Sequence, residues 1–108
     1  MNVALIATTE NNAWWVYILR CRNGALYTGV STDVQRRVGE HADQGRRSAR
    51  FTRAFAPVEL VYTCRIGSKS RAYRVEYRIK RLSRGKKAAL VAEQPTRRSL
   101  LGYLSINR

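Results

Sequence analysis

The sequence is poor in acidic residues, cysteine, histidine and long apolar runs. Its 108 residues include seven Asp and Glu, two Cys and one His. A single histidine without a Cys-x-x-Cys pair excludes a zinc site built from Cys and His. Few, scattered carboxylates argue against a nuclease that gathers several acids around two metal ions. The most apolar run, residues 14–19, is far shorter than the roughly 20 residues of a membrane span, so no membrane partner is expected.

The residues that are present suffice for one small globular domain. Hydrophobic residues make up 44% of the chain, enough for a single modest core. Cys21 and Cys64 both lie in stretches where apolar residues alternate with polar ones. Two buried thiols in a reducing, cytoplasmic protein are the favoured interpretation, and one disulfide between them is the alternative.

Positive charge is abundant and unevenly distributed. The chain has 21 Lys and Arg, of which 17 are Arg, and a formal net charge of +14. Residues 46–87 hold 14 basic and two acidic side chains, a net +12. A charge run is often only a solvated surface. In so small a domain, however, an arginine-rich field is typical of nucleic-acid binding.

Apolar periodicity and turn residues predict two strands in a hairpin, a helix, a third strand and two further helices. This order, ββαβαα, predicts an α+β fold with a small three-stranded antiparallel sheet flanked by helices. The predicted strands are residues 14–21, 25–30 and 58–66, and the predicted helices are residues 33–44, 69–83 and 86–92.

Local signals set the predicted boundaries. Thr32 and Gln35 have the spacing of a capping box, and Gly45 is expected to end the first helix. Gly85 is expected to separate the second helix from the third, and Pro95 to begin a tail. The predicted domain spans residues 14–92, with residues 1–13 and 93–108 as terminal extensions.

Five polar side chains could carry chemistry. Tyr17 and Tyr27 lie on the two strands of the hairpin, and Arg37 and His41 share one face of the first helix. Glu76 is the one acid among the basic residues of the second helix. Taken singly, each has an ordinary structural explanation: packing for a tyrosine, solvent exposure for the Arg and His, and an ion pair for the Glu.

Taken together, these residues resemble the GIY-YIG nuclease family, and in particular its small stand-alone bacterial members. The resemblance rests on the segments VYI and YTG, whose tyrosines are separated by nine residues, followed by TDVQRRVGEH and RAYRVEYRIKRL. It covers about residues 14–90. Trp15 replaces the Gly of the family's first motif and Thr28 the Ile of the second, and neither is a catalytic position.

The resemblance implies a role for each of the five residues. Tyr17 would be a general base beside the nucleophilic water, and Tyr27 would orient water or phosphate. Arg37 would stabilise charge on the scissile phosphate, and His41 would assist. Glu76 would ligate a single Mg²⁺, with Mn²⁺ as the alternative ion. The expected function is a metal-dependent DNA endonuclease, and the alternative is a non-catalytic DNA- or RNA-binding protein that uses the same basic face.

Other basic residues are expected to hold the nucleic acid. Phe51 and Phe55 alternate with arginines after the first helix, a pattern that suits a strand with stackable bases, although the rings could instead anchor the loop. No base-reading module is visible, so a protein partner would supply any strong sequence specificity. The predicted nucleic-acid-binding residues are Arg36, Arg46, Arg47, Arg50, Arg53, Arg74, Arg78 and Lys80.

Overall fold

The computed structural model describes residues 12–47 and 57–107, and it omits the side chains of residues 41–47, 57 and 58. Its elements fall in the predicted order, with one helix more than expected. They are β1 (Trp14–Cys21), β2 (Leu26–Ser31), α1 (Val34–Arg47), β3 (Pro57–Gly67), α2 (Lys69–Lys80), α3 (Arg84–Glu93) and α4 (Arg97–Tyr103).

The three strands form one antiparallel sheet in the order β2-β1-β3. This confirms the predicted fold class. The central strand is apolar on both faces: Val16 and Ile18 point to one side, Tyr17 and Leu19 to the other, and each is at most 1% exposed. A strand buried on both faces belongs in the middle of a sheet that is covered on both sides.

One face of the sheet, which we call the core side, is covered by α2, α3 and α4. Val16 and Ile18 pack there with apolar residues from β3 and all three helices. Three residues of α2 are fully buried in this cluster, and their spacing of three and four residues places them on one face of the helix. They are Ala72, Val75 and Ile79.

The opposite face, which we call the site side, is covered by α1. Tyr17 and Leu19 pack there against Val34, with Trp15 and Val38 partly buried beside them. The apolar spacing of four from Val34 to Val38 therefore directs α1 onto this face, as the sequence predicts.

The start and end of α1 differ from the prediction. Its cap is Asp33 rather than Thr32, since the Asp33 carboxylate accepts a hydrogen bond from the Arg36 backbone N–H at 3.1 Å. The helix also passes through Gly45 to Arg47. Glycine in a helix costs about 1 kcal/mol relative to alanine and does not by itself end one.

The second helix ends at Lys80, earlier than predicted, and Gly85 does not interrupt a helix. Ser83 caps α3 by accepting a hydrogen bond from the Lys86 N–H at 3.2 Å, so Gly85 lies in the first turn of that helix. A serine cap after a one-turn connection, rather than the glycine, separates the two helices.

The expected tail after Pro95 forms α4, and its packing corrects the prediction that residues 93–108 are an extension. Thr96 caps the helix, and Leu100 and Leu101 are fully buried in the core-side cluster. The Tyr62 hydroxyl donates to the Pro95 carbonyl at 2.7 Å. The helix was missed because seven residues are too few to show an apolar period.

None of the helices within residues 12–47 and 57–107 combines the length and apolar character needed to cross a bilayer.

Cys21 and Cys64 are both buried free thiols, and burial raises the pKa of each. The structure therefore agrees with the thiol interpretation rather than with a disulfide.

Candidate active site

The register of the hairpin places Tyr17 and Tyr27 on the same face. Tyr17 pairs with Gly29 and Leu19 pairs with Tyr27, so the two phenols are diagonal neighbours on the site side. Tyr17 is 1% exposed and Tyr27 is 40% exposed. One phenol is therefore built into the sheet and the other is partly exposed to solvent.

Gly29 allows the Tyr17 ring to lie across β2. A Cβ atom at Gly29 would come within 2.5 Å of Tyr17 Cζ, closer than real Cβ contacts. The ring thus occupies the space that a side chain on the neighbouring strand would fill. Gly29 was not predicted to have a role of its own, because its contact with the Tyr17 ring depends on the strand register.

Arg37 projects from α1 toward Tyr17. Its guanidinium donates a hydrogen bond to the Tyr17 hydroxyl and lowers the pKa of that phenol. It also donates to Glu40 Oε1 at 2.9 Å, one turn along the helix. Arg37 remains 38% exposed, so a buried phenol and an accessible cation lie side by side.

Glu40 was not predicted as a site residue, yet it holds two arginines. It accepts from Arg37 through Oε1 and from Arg36 through Oε2 at 2.8 Å. The hydrogen bond from Arg37 is the largest of the effects that lower the pKa of Glu40. The spacings of three and four residues from Glu40 back to the two arginines are the sequence signal that could have identified it.

Burial dominates the acidity of Tyr17. It raises the pKa of this phenol to about 12, electrostatic interactions with Tyr27 and Glu76 add to the rise, and Arg37 opposes it. At neutral pH Tyr17 is therefore a neutral phenol. Tyr27, Arg37 and Glu76 are thus each near enough to Tyr17 to affect the pKa of its phenol.

Glu76 reaches this group from α2, the helix on the core side. It borders the buried face of α2, its side chain is 17% exposed, and its Oε2 lies 3.2 Å from Lys80 Nζ. The structure thus brings together four of the five predicted catalytic residues. The fifth, His41, lies in α1, but its side chain is outside the described residues.

The predicted nucleic-acid-binding residues fall into different environments. Arg74 is exposed on α2, and Lys80 is paired with Glu76. Arg36 is paired with Asp33 and Glu40. Arg78 donates to the Leu104 carbonyl at 2.6 Å, a contact that ties α2 to the end of α4. The side chains of Arg46 and Arg47, and the whole of Arg50, Phe51, Arg53 and Phe55, are outside the described residues.

A cavity of about 340 Å³ lies between the hairpin turn and α3. Arg20, Arg84 and Lys87 line it, together with apolar residues such as Leu26 and Val91. It contains none of the predicted catalytic residues.

The donor set around Glu76 suits only one kind of metal ion. Within the described ranges, no group of three or more His, Cys, Asp and Glu residues could enclose an ion. One carboxylate fits a hard cation that keeps most of its water and takes phosphate oxygens from a substrate, as Mg²⁺ does. A site that completes its coordination by binding the substrate is consistent with these residues.

A family model described as the GIY-YIG catalytic domain matches residues 13–88, most of the chain. The chain belongs to the GIY-YIG family. Nucleases of the GIY-YIG family generally act on nucleic acid with a divalent metal ion. All five predicted catalytic residues lie within the matched range, whereas α4, which completes the core, lies beyond it.

Relatives of similar length match most of this chain. A UPF0213 protein of Pectobacterium carotovorum is 45% identical over 86 residues, which are 80% of this chain and 85% of the relative. A UPF0213 protein of Natronomonas pharaonis is 52% identical over 80 residues, 74% of this chain and 92% of the relative. The solution NMR structure of a UPF0213 protein from Bacillus halodurans is 41% identical and covers 87% of this chain and 98% of its own, with a TM-score of 0.49.

Proposed function

We propose that this protein is a metal-dependent endonuclease that hydrolyses phosphodiester bonds in DNA. One observation supports this most directly: a buried phenol, Tyr17, interacts electrostatically with Tyr27, Arg37 and Glu76. Such hydrolysis needs a positioned water, a proton acceptor and positive charge near the phosphate. The four residues, drawn from both sides of the sheet, offer each of these.

Arg37 is proposed to stabilise the phosphate. Its guanidinium stays charged at any working pH, and Glu40 and Tyr17 fix its orientation. A cation that is already oriented loses little freedom when negative charge grows on the phosphate oxygens. Its 38% exposed surface is accessible to a strand lying across α1.

Tyr17 is proposed to take the proton of the attacking water. The phenol first releases its own proton to solvent, and the resulting phenolate oxygen then accepts a proton from water. The water oxygen bonds to phosphorus, the bond to the leaving oxygen breaks, and that oxygen takes a proton from solvent. A pKa of about 12 means that little phenolate exists at neutral pH, so the rate should rise with pH.

The other predicted residues have supporting roles. Tyr27, exposed beside Tyr17, is proposed to orient the water or a phosphate oxygen, and His41 is proposed to assist from α1. Glu76 would hold one Mg²⁺, with Mn²⁺ as an alternative. When bound, that ion would supply positive charge to the phosphate and to the leaving oxygen. The free thiols of Cys21 and Cys64 fit a reducing compartment, and we propose the cytoplasm.

A non-catalytic DNA- or RNA-binding protein is the second candidate. The ion pair between Glu76 and Lys80 favours it, because this cation competes for the one carboxylate that would hold a metal. In that case the basic residues would still hold a phosphate backbone. Chelator would then leave nucleic-acid binding unchanged and no strand would be cut.

The two candidates separate in a cleavage assay with labelled single-stranded, duplex and branched DNA, in Mg²⁺ and in chelator. We expect metal-dependent cleavage that falls about 10²- to 10⁴-fold in Tyr17→Phe and about 10²- to 10³-fold in Arg37→Gln. Glu76→Gln should abolish the response to Mg²⁺. Tyr103→Phe and Glu93→Gln, both exposed on other helices, are matched controls that should keep full activity.

Two results would contradict the nuclease proposal. One is that no DNA substrate is cut by the parent protein in Mg²⁺ or Mn²⁺. The other is that Tyr17→Phe and Glu76→Gln cut as fast as Tyr103→Phe and Glu93→Gln. Nucleic-acid binding that survives in the first case, where nothing is cut, would favour the second candidate.

A further inference from the structure

The outer surface of α2 carries two exposed tyrosines between two cations. Lys69, Tyr73, Tyr77 and Arg81 follow one another at intervals of four, so they form a single row along the helix, which we call the α2 stripe. Tyr73 is 46% exposed and Tyr77 is 58% exposed. Packing does not explain these rings, because α2 buries a different face.

The cations of the α2 stripe lie over its rings. Lys69 Nζ is 6.0 Å from the centre of the Tyr73 ring and 5.6 Å from that of Trp14. The Arg81 guanidinium is 5.5 Å from the Tyr77 ring. Trp14 and Tyr73 are themselves 5.6 Å apart and tilted by 48°. Each ring thus has a charged neighbour that can turn to a phosphate while the ring remains available to a base.

The stripe borders the candidate active site. Glu76 directly precedes Tyr77, and at about 100° per residue it lies about 60° around the helix from Tyr73. Arg78, by contrast, points to the other flank of α2, where it contacts Leu104. A strand lying along the stripe would therefore pass beside Glu76.

The spacing of the rings indicates what kind of strand would fit. Four residues of helix place Tyr73 and Tyr77 about 6 Å apart along the axis. Neighbouring nucleotides in B-DNA are only about 3.4 Å apart along each strand, and their faces are already stacked on one another. Bases that stack on both rings must be unpaired and spread apart.

Charge supports a nucleic acid over a protein partner. Over residues 69–81 the chain has six basic residues and one acidic residue, Glu76. Basic side chains next to exposed aromatic rings are the combination that holds single strands without reading their sequence. A second copy of this chain would bring the same positive charge to the interface and be repelled.

We propose that the α2 stripe is a stacking platform for unpaired bases, so that the substrate is DNA with a single-stranded segment beside the cleaved bond. The proposal rests on the nuclease function for its second half. Its first half, binding of a single strand by the stripe, stands without cleavage.

The test measures binding by fluorescence anisotropy in chelator, so that no strand is cut. The probes are a labelled oligothymidylate and a duplex of the same length. Each of Tyr73→Leu and Tyr77→Leu should weaken oligothymidylate binding about 5- to 150-fold. The duplex should lose less than twofold. Tyr73→Phe and Tyr77→Phe should restore binding, because stacking needs the ring and not the hydroxyl.

Tyr103→Leu is the matched control, since Tyr103 is 55% exposed on α4 and outside the stripe. It should leave both affinities unchanged. In Lys69→Gln and Arg81→Gln the slope of log affinity against log salt should fall by about 0.7 each, as expected for lost phosphate contacts on a single strand. The tyrosine variants should keep the parent slope.

The proposal fails if the leucine variants bind oligothymidylate as tightly as Tyr103→Leu does, or if they weaken duplex binding equally. It also fails if sedimentation shows a dimer of the parent protein that Tyr77→Leu dissociates, because the stripe would then be a protein interface. If the stripe variants lose binding as described but the parent protein cuts no DNA in Mg²⁺ or Mn²⁺, the nuclease function is refuted. The proposal that the stripe binds single strands then still stands.

Discussion

The two faces of the sheet differ in what they bury. On the core side, 13 of the described residues, from β1, β3, the three helices and the segment after α4, form one buried cluster. On the site side, among the described residues, the buried cluster is Tyr17, Leu19 and Val34. Within the described ranges the core-side cluster is therefore the larger one, and the smaller one includes the phenol that carries the proposed chemistry. A site with polar groups is less costly to place where little apolar packing depends on it.

Glu76 and the α2 stripe belong to a helix of the core side, yet we propose that both serve the site. One helix can do so because its buried face and its outer face are distinct. Under these proposals, stability and function separate by face of the sheet for the strands, and by face of the helix for α2. Changing one side of the sheet and comparing it with the other tests this division.

The largest effect is expected from a matched pair of leucines. Leu101 lies on the core side and Leu19 on the site side, and both are fully buried. Leu101→Ala should lower the free energy of unfolding by about 4 kcal/mol and Leu19→Ala by about 3, because the smaller cluster loses fewer contacts. Denaturant unfolding measures both. Leu19→Ala should reduce cleavage in folded protein and Leu101→Ala should not. A larger loss of cleavage in Leu101→Ala than in Leu19→Ala would contradict the comparison.

The next effect is the loss of stability at alkaline pH. Burial raises the pKa of Tyr17 on the site side to about 12 and also raises that of Tyr62 on the core side. Above pH 10 the unfolded chain loses these protons while the folded chain keeps them, so folding stability falls as pH rises. Tyr17 alone would account for up to about 2.7 kcal/mol over the whole alkaline range, most of it lost between pH 10 and pH 12.

Denaturant unfolding of the parent protein, Tyr17→Phe and Tyr62→Phe at several pH values measures how much of the alkaline loss of stability each tyrosine causes. Each substitution should flatten the fall above pH 10, and neither should affect the stability profile between pH 7 and 9. Cleavage by the parent protein should increase with pH over the range in which it remains folded. A cleavage rate independent of pH would exclude Tyr17 as the proton acceptor.

A smaller effect is expected at Gly29, where the site-side ring lies against β2. Gly29→Ala would force the Tyr17 ring to move, so we expect about 2 kcal/mol of lost stability together with reduced cleavage. Gly102→Ala is the control on the core side, since a Cβ there meets no atom within 4 Å. It should leave cleavage unchanged and add up to about 1 kcal/mol to α4. Equal cleavage by the two variants would show that the ring position is unimportant.

The smallest effect on folding is expected from Glu40, which is exposed at the surface of α1 and orients Arg37. Glu40→Gln should leave the melting temperature nearly unchanged, because surface ion pairs add little to stability. Cleavage should fall several-fold through kcat, with KM little changed, because Arg37 becomes less well oriented. Arg36→Gln removes the other partner of Glu40 and should leave kcat unaffected. If both variants lower kcat equally, Glu40 has no specific effect through Arg37.

Much of the fold follows from local patterns. The alternation in β1 and β3 and the apolar spacing of α1 and α2 predict their types and order, because these segments bury one or both faces. Boundaries were less well predicted. Ser83 and Thr96 act as helix caps only when their side chains meet specific backbone N–H groups, and α4 is held by contacts with distant residues such as Tyr62.

The candidate site shows the same division. Tyr17, Tyr27, Arg37 and Glu76 were predicted as site residues from the resemblance of their motifs to the GIY-YIG family. Glu40 and Gly29 were not, because their importance depends on which side chain lies next to them. The basic residues could be counted from the sequence, but the sequence does not show which of them are exposed and which bond to other parts of the protein. Only the structure shows that Arg78 bonds a carbonyl at the end of α4 while Arg74 is exposed.

The sequence by itself determined the charge, the shortage of carboxylates, the apolar periods that specify an α+β domain, and the motifs that match the GIY-YIG family. These properties depend on residue type and spacing alone. The tertiary structure decided the hairpin register, the burial that raises the pKa of Tyr17, and the partners of each arginine. Those depend on distances between residues far apart in the chain, and packing of the whole domain sets such distances.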